Sequence, residues 1–203
     1  MINEGLTYKG SDISDYEVLE KLHVGHQRLL LETNGFILFD GGLHLRGAVE
    51  IPVWHSLGHV WSGESALYKL FPAIHESDVP FGQDCLGDQF VLRQNVVHKL
   101  DAELGQLESL DMSLEVFLAQ ARENPVEFLS LQPLLQFLNE GGVLKPGQLL
   151  SVYPPFVAKE SENGVALKAV SMFDRIRFLA DFARQVSGLR EGTKINMSVV
   201  EQD

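Results

Sequence analysis

Phe81-Gly82-Gln83-Asp84-Cys85-Leu86-Gly87-Asp88-Gln89-Phe90-Val91-Leu92 is the stretch on which the fold turns, because it reads as a polar, glycine-bearing loop feeding a strand. Residues 96–100 follow as a second strand, and Asp101-Ala102-Glu103-Leu104-Gly105 as a turn with Gly105 where a positive φ is needed. Residues 106–110 return as a third strand, so 89–110 make a meander. Ser113 then caps a helix running to about Arg122, with Leu114, Phe117, Leu118 and Ala121 on one side.

Outward from this block the pattern repeats. Upstream, residues 15–33 carry a helical stripe (Tyr16, Leu19, Leu22, Leu29, Leu30) that Asp12 or Ser14 can cap and Asn34-Gly35 ends. Residues 36–39 and 43–45 form a hairpin around Asp40-Gly41-Gly42, and 63–70 a short helix with Ala66, Leu67 and Leu70 inward. Downstream, a helix at 133–139 stops at Gly141-Gly142, and strands at 149–153 and 165–171 pair. The segment 174–186 is amphipathic, with Ile176, Leu179, Ala180, Ala183 and Val186 inward and Arg175, Asp181 and Arg184 outward. Alternation over 194–200 suggests a half-exposed terminal strand. Hairpins grouped between helices indicate the α+β class, a mainly antiparallel central sheet with flanking helices.

Composition narrows the function. Of 203 residues 45% are hydrophobic and 22% charged, enough for a real core, and no apolar run is long enough for a membrane span. The N-terminus has no basic segment followed by an apolar one, and Cys85 is the lone cysteine, so a reducing cytoplasm without disulfides is expected. A net charge of −12 argues against a nucleic-acid binder. Residues 72–123 hold ten carboxylates against Arg93, Lys99 and Arg122, a net of −7, which reads as a solvated face or as a docking face for a basic partner.

Catalytic templates find little purchase. His55 and His59 have the i, i+4 spacing of zinc ligands on a helix, yet Ser56 stands where a metalloprotease places its Glu, and Gly58 weakens the helix. Asp84 and Asp88 flank Gly87 without the spacing of a calcium loop, and there is no phosphate-cradling loop or nucleophile elbow. No metal, cofactor or catalytic residue is expected. The residual enzymatic reading is a hydrolase using His55 or His59 with a nearby carboxylate.

Arg28-Leu29-Leu30-Leu31-Glu32-Thr33-Asn34-Gly35 resembles the helix-end "NG" signature of the SUKH superfamily, the Smi/Knr-type proteins. The block from Val79-Pro80 through Gly87-Asp88 into the strand ending at Leu92 is similar to that family's next signature. Val97-His98-Lys99-Leu100-Asp101 and the helix opened by Ser113 and holding Phe117 follow in the family's order. The resemblance spans roughly residues 10–122. It implies a core at 1–122, leaving 123–203 as a C-terminal α/β extension, either apart or packed into the same domain. It also implies a central antiparallel sheet and no conserved catalytic centre. Bacterial members are immunity proteins that neutralise a cognate toxin, commonly a nuclease or deaminase, by direct binding; fungal members regulate cell-wall glucan synthesis. The expected partner is therefore a basic protein toxin; the alternative implied by the fungal members is a regulatory or scaffold module of the Smi/Knr type related to cell-wall synthesis. Asp84, Asp88, Asp101 and Glu103 are the expected contacts, since a loop and a turn supply them. Leu86 and Trp54 are weaker candidates for apolar anchors.

Overall fold

A computed structural model describes residues 5–190 and 192–193; the expected terminal strand at 194–200 lies outside them. The fold is α+β. Seven antiparallel strands follow one another in space as they do in the chain: β1 (Leu6–Lys9), β2 (Phe36–Leu38), β3 (Leu43–Leu45), β4 (Val79–Asp84), β5 (Gln89–Arg93), β6 (Val96–Asp101) and β7 (Gln106–Ser109). A separate antiparallel hairpin joins β8 (Gln148–Tyr153) to β9 (Ala166–Ser171), paired residue for residue from Gln148 opposite Ser171 to Tyr153 opposite Ala166.

Strand β5 shows why the sheet is buried on both faces. Phe90 and Leu92 enter one core with Phe81, Val97 and Phe117, while Val91 enters another with Leu100, Leu149 and Leu179. Alternate side chains of a strand point to opposite faces, so an unbroken apolar run needs cover on both sides. The first face is covered by α5 (Leu114–Glu123), α6 (Pro125–Phe128) and α7 (Gln132–Asn139), which contribute Phe117, Leu131 and Leu134. The second is covered by α3 (Leu57–Trp61), α4 (Leu67–Leu70) and the long α8 (Met172–Val186), with the hairpin alongside. Residues from beyond 123 thus supply side chains to both cores.

Several local expectations change. The segment 15–33 is two helices, α1 (Tyr16–Lys21) and α2 (Val24–Glu32), because Leu22 takes an extended conformation and His23 caps the second. The cap of α1 is Asp15, whose carboxylate accepts from the Val18 N–H, rather than Asp12 or Ser14. The expected loop at 81–84 is the second half of β4; only residues 85–88 turn. Arg175, expected outward, is buried at 3% exposure. Ser113 caps α5 as expected, and Gly105 has φ +68°.

Candidate functional site

Two buried polar knots and one exposed apolar face concentrate the chemistry of the chain. The first knot is built on Asn34-Gly35. Past the end of α2, Gly35 has φ +74°, and an added Cβ would lie 2.7 Å from the Arg46 carbonyl carbon, so only glycine fits. Asn34 then uses both polar atoms of its side chain: its side-chain oxygen accepts from Ala48 N–H (2.7 Å), and its amide donates to the Ser11 carbonyl (2.9 Å). Its own carbonyl accepts from His55 Nε2 at 2.9 Å. A carbonyl only accepts, so His55 carries its proton on Nε2 and leaves Nδ1 bare. His44 Nε2, 2.9 Å from that Nδ1, is therefore the donor of the next link. Burial lowers both imidazoles, His44 well below its ordinary range, with Arg46 adding to the effect. The relay is neutral and its tautomers are fixed by the backbone.

Beside it, Arg46 is fully buried without any carboxylate. Its guanidinium donates to the carbonyls of Pro80 (2.8 Å) and Gly82 (3.2 Å) and to the side-chain oxygens of Gln83 and Gln89 (both 2.6 Å). Nε finds no acceptor among the described residues. Burial lowers this group to about 9, which still leaves it charged at neutral pH. Carbonyl and amide dipoles from β4 and β5 carry the positive charge in place of an anion.

The second knot gathers the four carboxylates expected to meet a partner. Asp84 is the last residue of β4 and is 1% exposed. Its Oδ1 accepts from the N–H groups of Leu86, Gly87 and Asp88 at 2.9–3.1 Å, closing the turn. Burial raises its carboxyl to about 7, with the Asp88 charge adding to the rise. Lys99 Nζ lies 2.9 Å from Asp88 Oδ2 and 3.8 Å from Asp84 Oδ2, so Asp88 takes the ion pair and Asp84 holds the proton more readily. Asp88 Oδ1 also accepts from Ala102 N–H (2.9 Å), and Asp101 from Leu104 N–H (2.9 Å). Glu103 reaches across to the hairpin, where its two oxygens accept from Phe156 and Val157 N–H (both 3.3 Å), and pairs with Arg175 at 3.8 Å. Arg175 Nε donates to the Leu86 carbonyl (3.3 Å).

The loop-displayed acids of the sequence expectation are thus drawn together, but inward. Asp84 and Glu103 are buried, while Asp88 and Asp101 are half-buried. The reason is local: a turn with several orphan N–H groups recruits the nearest carboxylates as acceptors. The other candidates separate. His55 belongs to the neutral relay, and His59 lies on α3 with its ring edge-on to Phe173 at 5.4 Å. Trp54 is half-buried against Tyr8 (4.8 Å), and Leu86 is half-buried against the first core. No group of three or more His, Cys, Asp or Glu among the described residues is placed to hold a metal ion.

What sequence reading missed is the apolar face that the second knot supports. Leu104 (37% exposed), Phe156 (43%), Val157 (42%) and Phe178 (46%) surround the Glu103–Arg175 pair. Arg175 lies 5.6 Å from the Phe178 ring, and Phe178 stacks on Phe182 at 6.0 Å. Leu104, Phe156, Val157 and Phe178 lie in separate stretches of sequence, and the one signal that could have found them is Phe178, an aromatic residue outside the inward stripe of α8.

No family model matches the chain, and no curated protein does. Among solved structures, it is similar to Atu4351 from Agrobacterium tumefaciens, described as "Crystal structure of Atu4351 from Agrobacterium tumefaciens", with a TM-score of 0.51 and 13% identity. That similarity covers 88% of this chain and 84% of the other, and it is a likeness of fold.

Proposed function

We propose that this protein is a non-catalytic binding protein of the immunity type, neutralising a basic protein toxin by direct contact. The observation that carries the reading is the face formed by Leu104, Phe156, Val157 and Phe178 around the buried Glu103–Arg175 pair. Exposed aromatic and aliphatic side chains held on a pre-ordered frame are what interface anchors require, because little side-chain and loop freedom is then lost on association. Two half-buried carboxylates, Asp88 and Asp101, accept from the Ala102 and Leu104 N–H groups of the same turn as Glu103, and a net charge of −12 accelerates encounter with a cationic protein. The sequence resemblance to the SUKH superfamily supplies the class of partner. The apolar anchors hold the complex, and the acidic field speeds its formation.

The test is co-expression with the product of the adjoining gene, followed by an association assay with the purified pair. Phe156→Glu and Phe178→Glu alter exposed positions and should leave the fold intact. Each should weaken binding on the order of 30-fold, the scale of an interface hot spot. The association rate should also fall steeply with salt. Binding that survives both substitutions together would remove this face from the interface. An adjoining product that is neither bound nor rendered harmless would remove the immunity reading itself.

A further inference from the structure

A cleft of about 240 Å³ opens on the opposite side of α8 from Phe178, between α8, α3 and α4. Its floor is apolar and firm: Val60, Leu67 and Ile176 are all buried in the second core yet line the cavity. Phe173 forms one wall and is braced from behind by the His59 ring. Two side chains of opposite charge, Glu64 in the turn before α4 and Arg177 on α8, also line it. Both are exposed, and neither makes an ion pair or hydrogen bond through its charged group among the described residues.

A guanidinium and a carboxylate sharing one lining select against ligands of either single sign. An anion gains from Arg177 but meets Glu64, and a cation meets the reverse. A small zwitterion satisfies both, and an apolar tail fills the floor that water solvates poorly. The volume lies just below the range of drug-sized sites, which fits a ligand the size of one amino acid. We propose that this cleft binds a free apolar α-amino acid, its ammonium toward Glu64, its carboxylate toward Arg177 and its side chain on Val60, Leu67 and Ile176.

Isothermal titration of the full chain with L-leucine and L-phenylalanine tests this. Both should bind, glycine should not, and N-acetyl-L-leucine and L-leucinamide, each missing one charge, should bind at least about tenfold more weakly. Glu64→Lys and Arg177→Glu are at exposed positions, so circular dichroism should be unchanged while leucine affinity falls at least about tenfold in each. The idea is overturned if neither amino acid binds below about 10 mM, if the capped derivatives bind as well as leucine, or if affinity is indifferent to both charge variants. A site that takes only a partner's side chain would give the first of these results.

Discussion

The knot around Arg46 and the knot around Lys99 both depend on β4, and they solve the same problem by different means. Gln83 and Asp84 are adjacent in the chain, and each feeds a different knot. Around Arg46 a single buried cation is surrounded by neutral acceptors, and the neighbouring histidines are held uncharged. Around Lys99 and Arg175 four carboxylates meet two cations, and most of the carboxylate oxygens also close turns or tether the hairpin. A buried charge must have its polar demands met, but the acceptor need not be charged. The first arrangement is costly to disrupt and loses stability in acid, where the unfolded chain protonates His44 and His55 and the folded one does not; the second can be re-balanced by proton uptake at Asp84.

The largest effect should follow Arg46→Ala. It removes four hydrogen bonds, leaves the Gln89 oxygen without its donor and the Gln83 oxygen with only the longer bond from Gln89 (3.5 Å), and opens a cavity, together costing about 3–5 kcal/mol. Urea unfolding measures it. A loss under about 1 kcal/mol would mean that neutral acceptors contribute little and the contrast between the knots is false.

Arg175→Leu should cost about 2 kcal/mol, because it strips Glu103 of its cation and Leu86 of a donor. An arginine in solvent, as the helical pattern alone suggested, would lose under about 0.5 kcal/mol. The same variant should speed hydrogen exchange at the Phe156 and Val157 amides, which Glu103 holds.

Asp84→Asn sharpens the comparison through pH. The ordinary carboxyl value is 3.8 and the folded one about 7, so between these the folded state keeps a proton that the unfolded chain has lost. The stability contributed by Asp84 therefore fades as pH rises through that window. Asparagine keeps the acceptor for the three N–H groups and imitates the protonated form. It should match the wild type at about pH 3, below both values, and exceed it increasingly as the pH rises to about 7, by on the order of 1 kcal/mol or more. Parallel stability–pH curves for the two proteins would deny that Asp84 is held protonated.

The smallest effect is expected at His26, which is buried near Phe81, has no hydrogen-bond partner for either ring nitrogen among the described residues, and is lowered by burial to about 4. Between pH 6.5 and about 4 the unfolded chain takes up a proton that the folded one refuses, so the wild type loses stability as pH falls. His26→Phe should gain about 1 kcal/mol at neutral pH and somewhat more in acid. Thermal unfolding at the two pH values checks it.

The fold was largely legible because its signals are local. The meander from β5 to β7, the Ser113 cap, the β8–β9 hairpin and the apolar stripe of α8 follow from spacing within a few residues. The candidate sites were much less so. Asp84 looks like a loop acid because the turn residues beside it are polar, and nothing nearby in the sequence announces that Lys99 will bury it. Arg175 occupies a polar position on the helical wheel; it turns inward because Glu103 and the Leu86 carbonyl, both more than seventy residues upstream, stand in its path. Sequence spacing paired His55 with His59 and not with His44, since the link that forms depends on distant segments meeting beside Asn34. Ionic demand is non-local, whereas hydrophobic period is not.

Strands laid down in chain order have a consequence for assembly. From β4 to β7 each ladder closes across a short turn, so this meander can zip early, and the Asp84, Asp88 and Lys99 contacts come with it. Glu103 is then complete only when α8 arrives at the far end of the chain, bringing Arg175. During synthesis that carboxylate waits facing water, and the docking of the last helix is the step that converts it from a solvated charge into an internal tie.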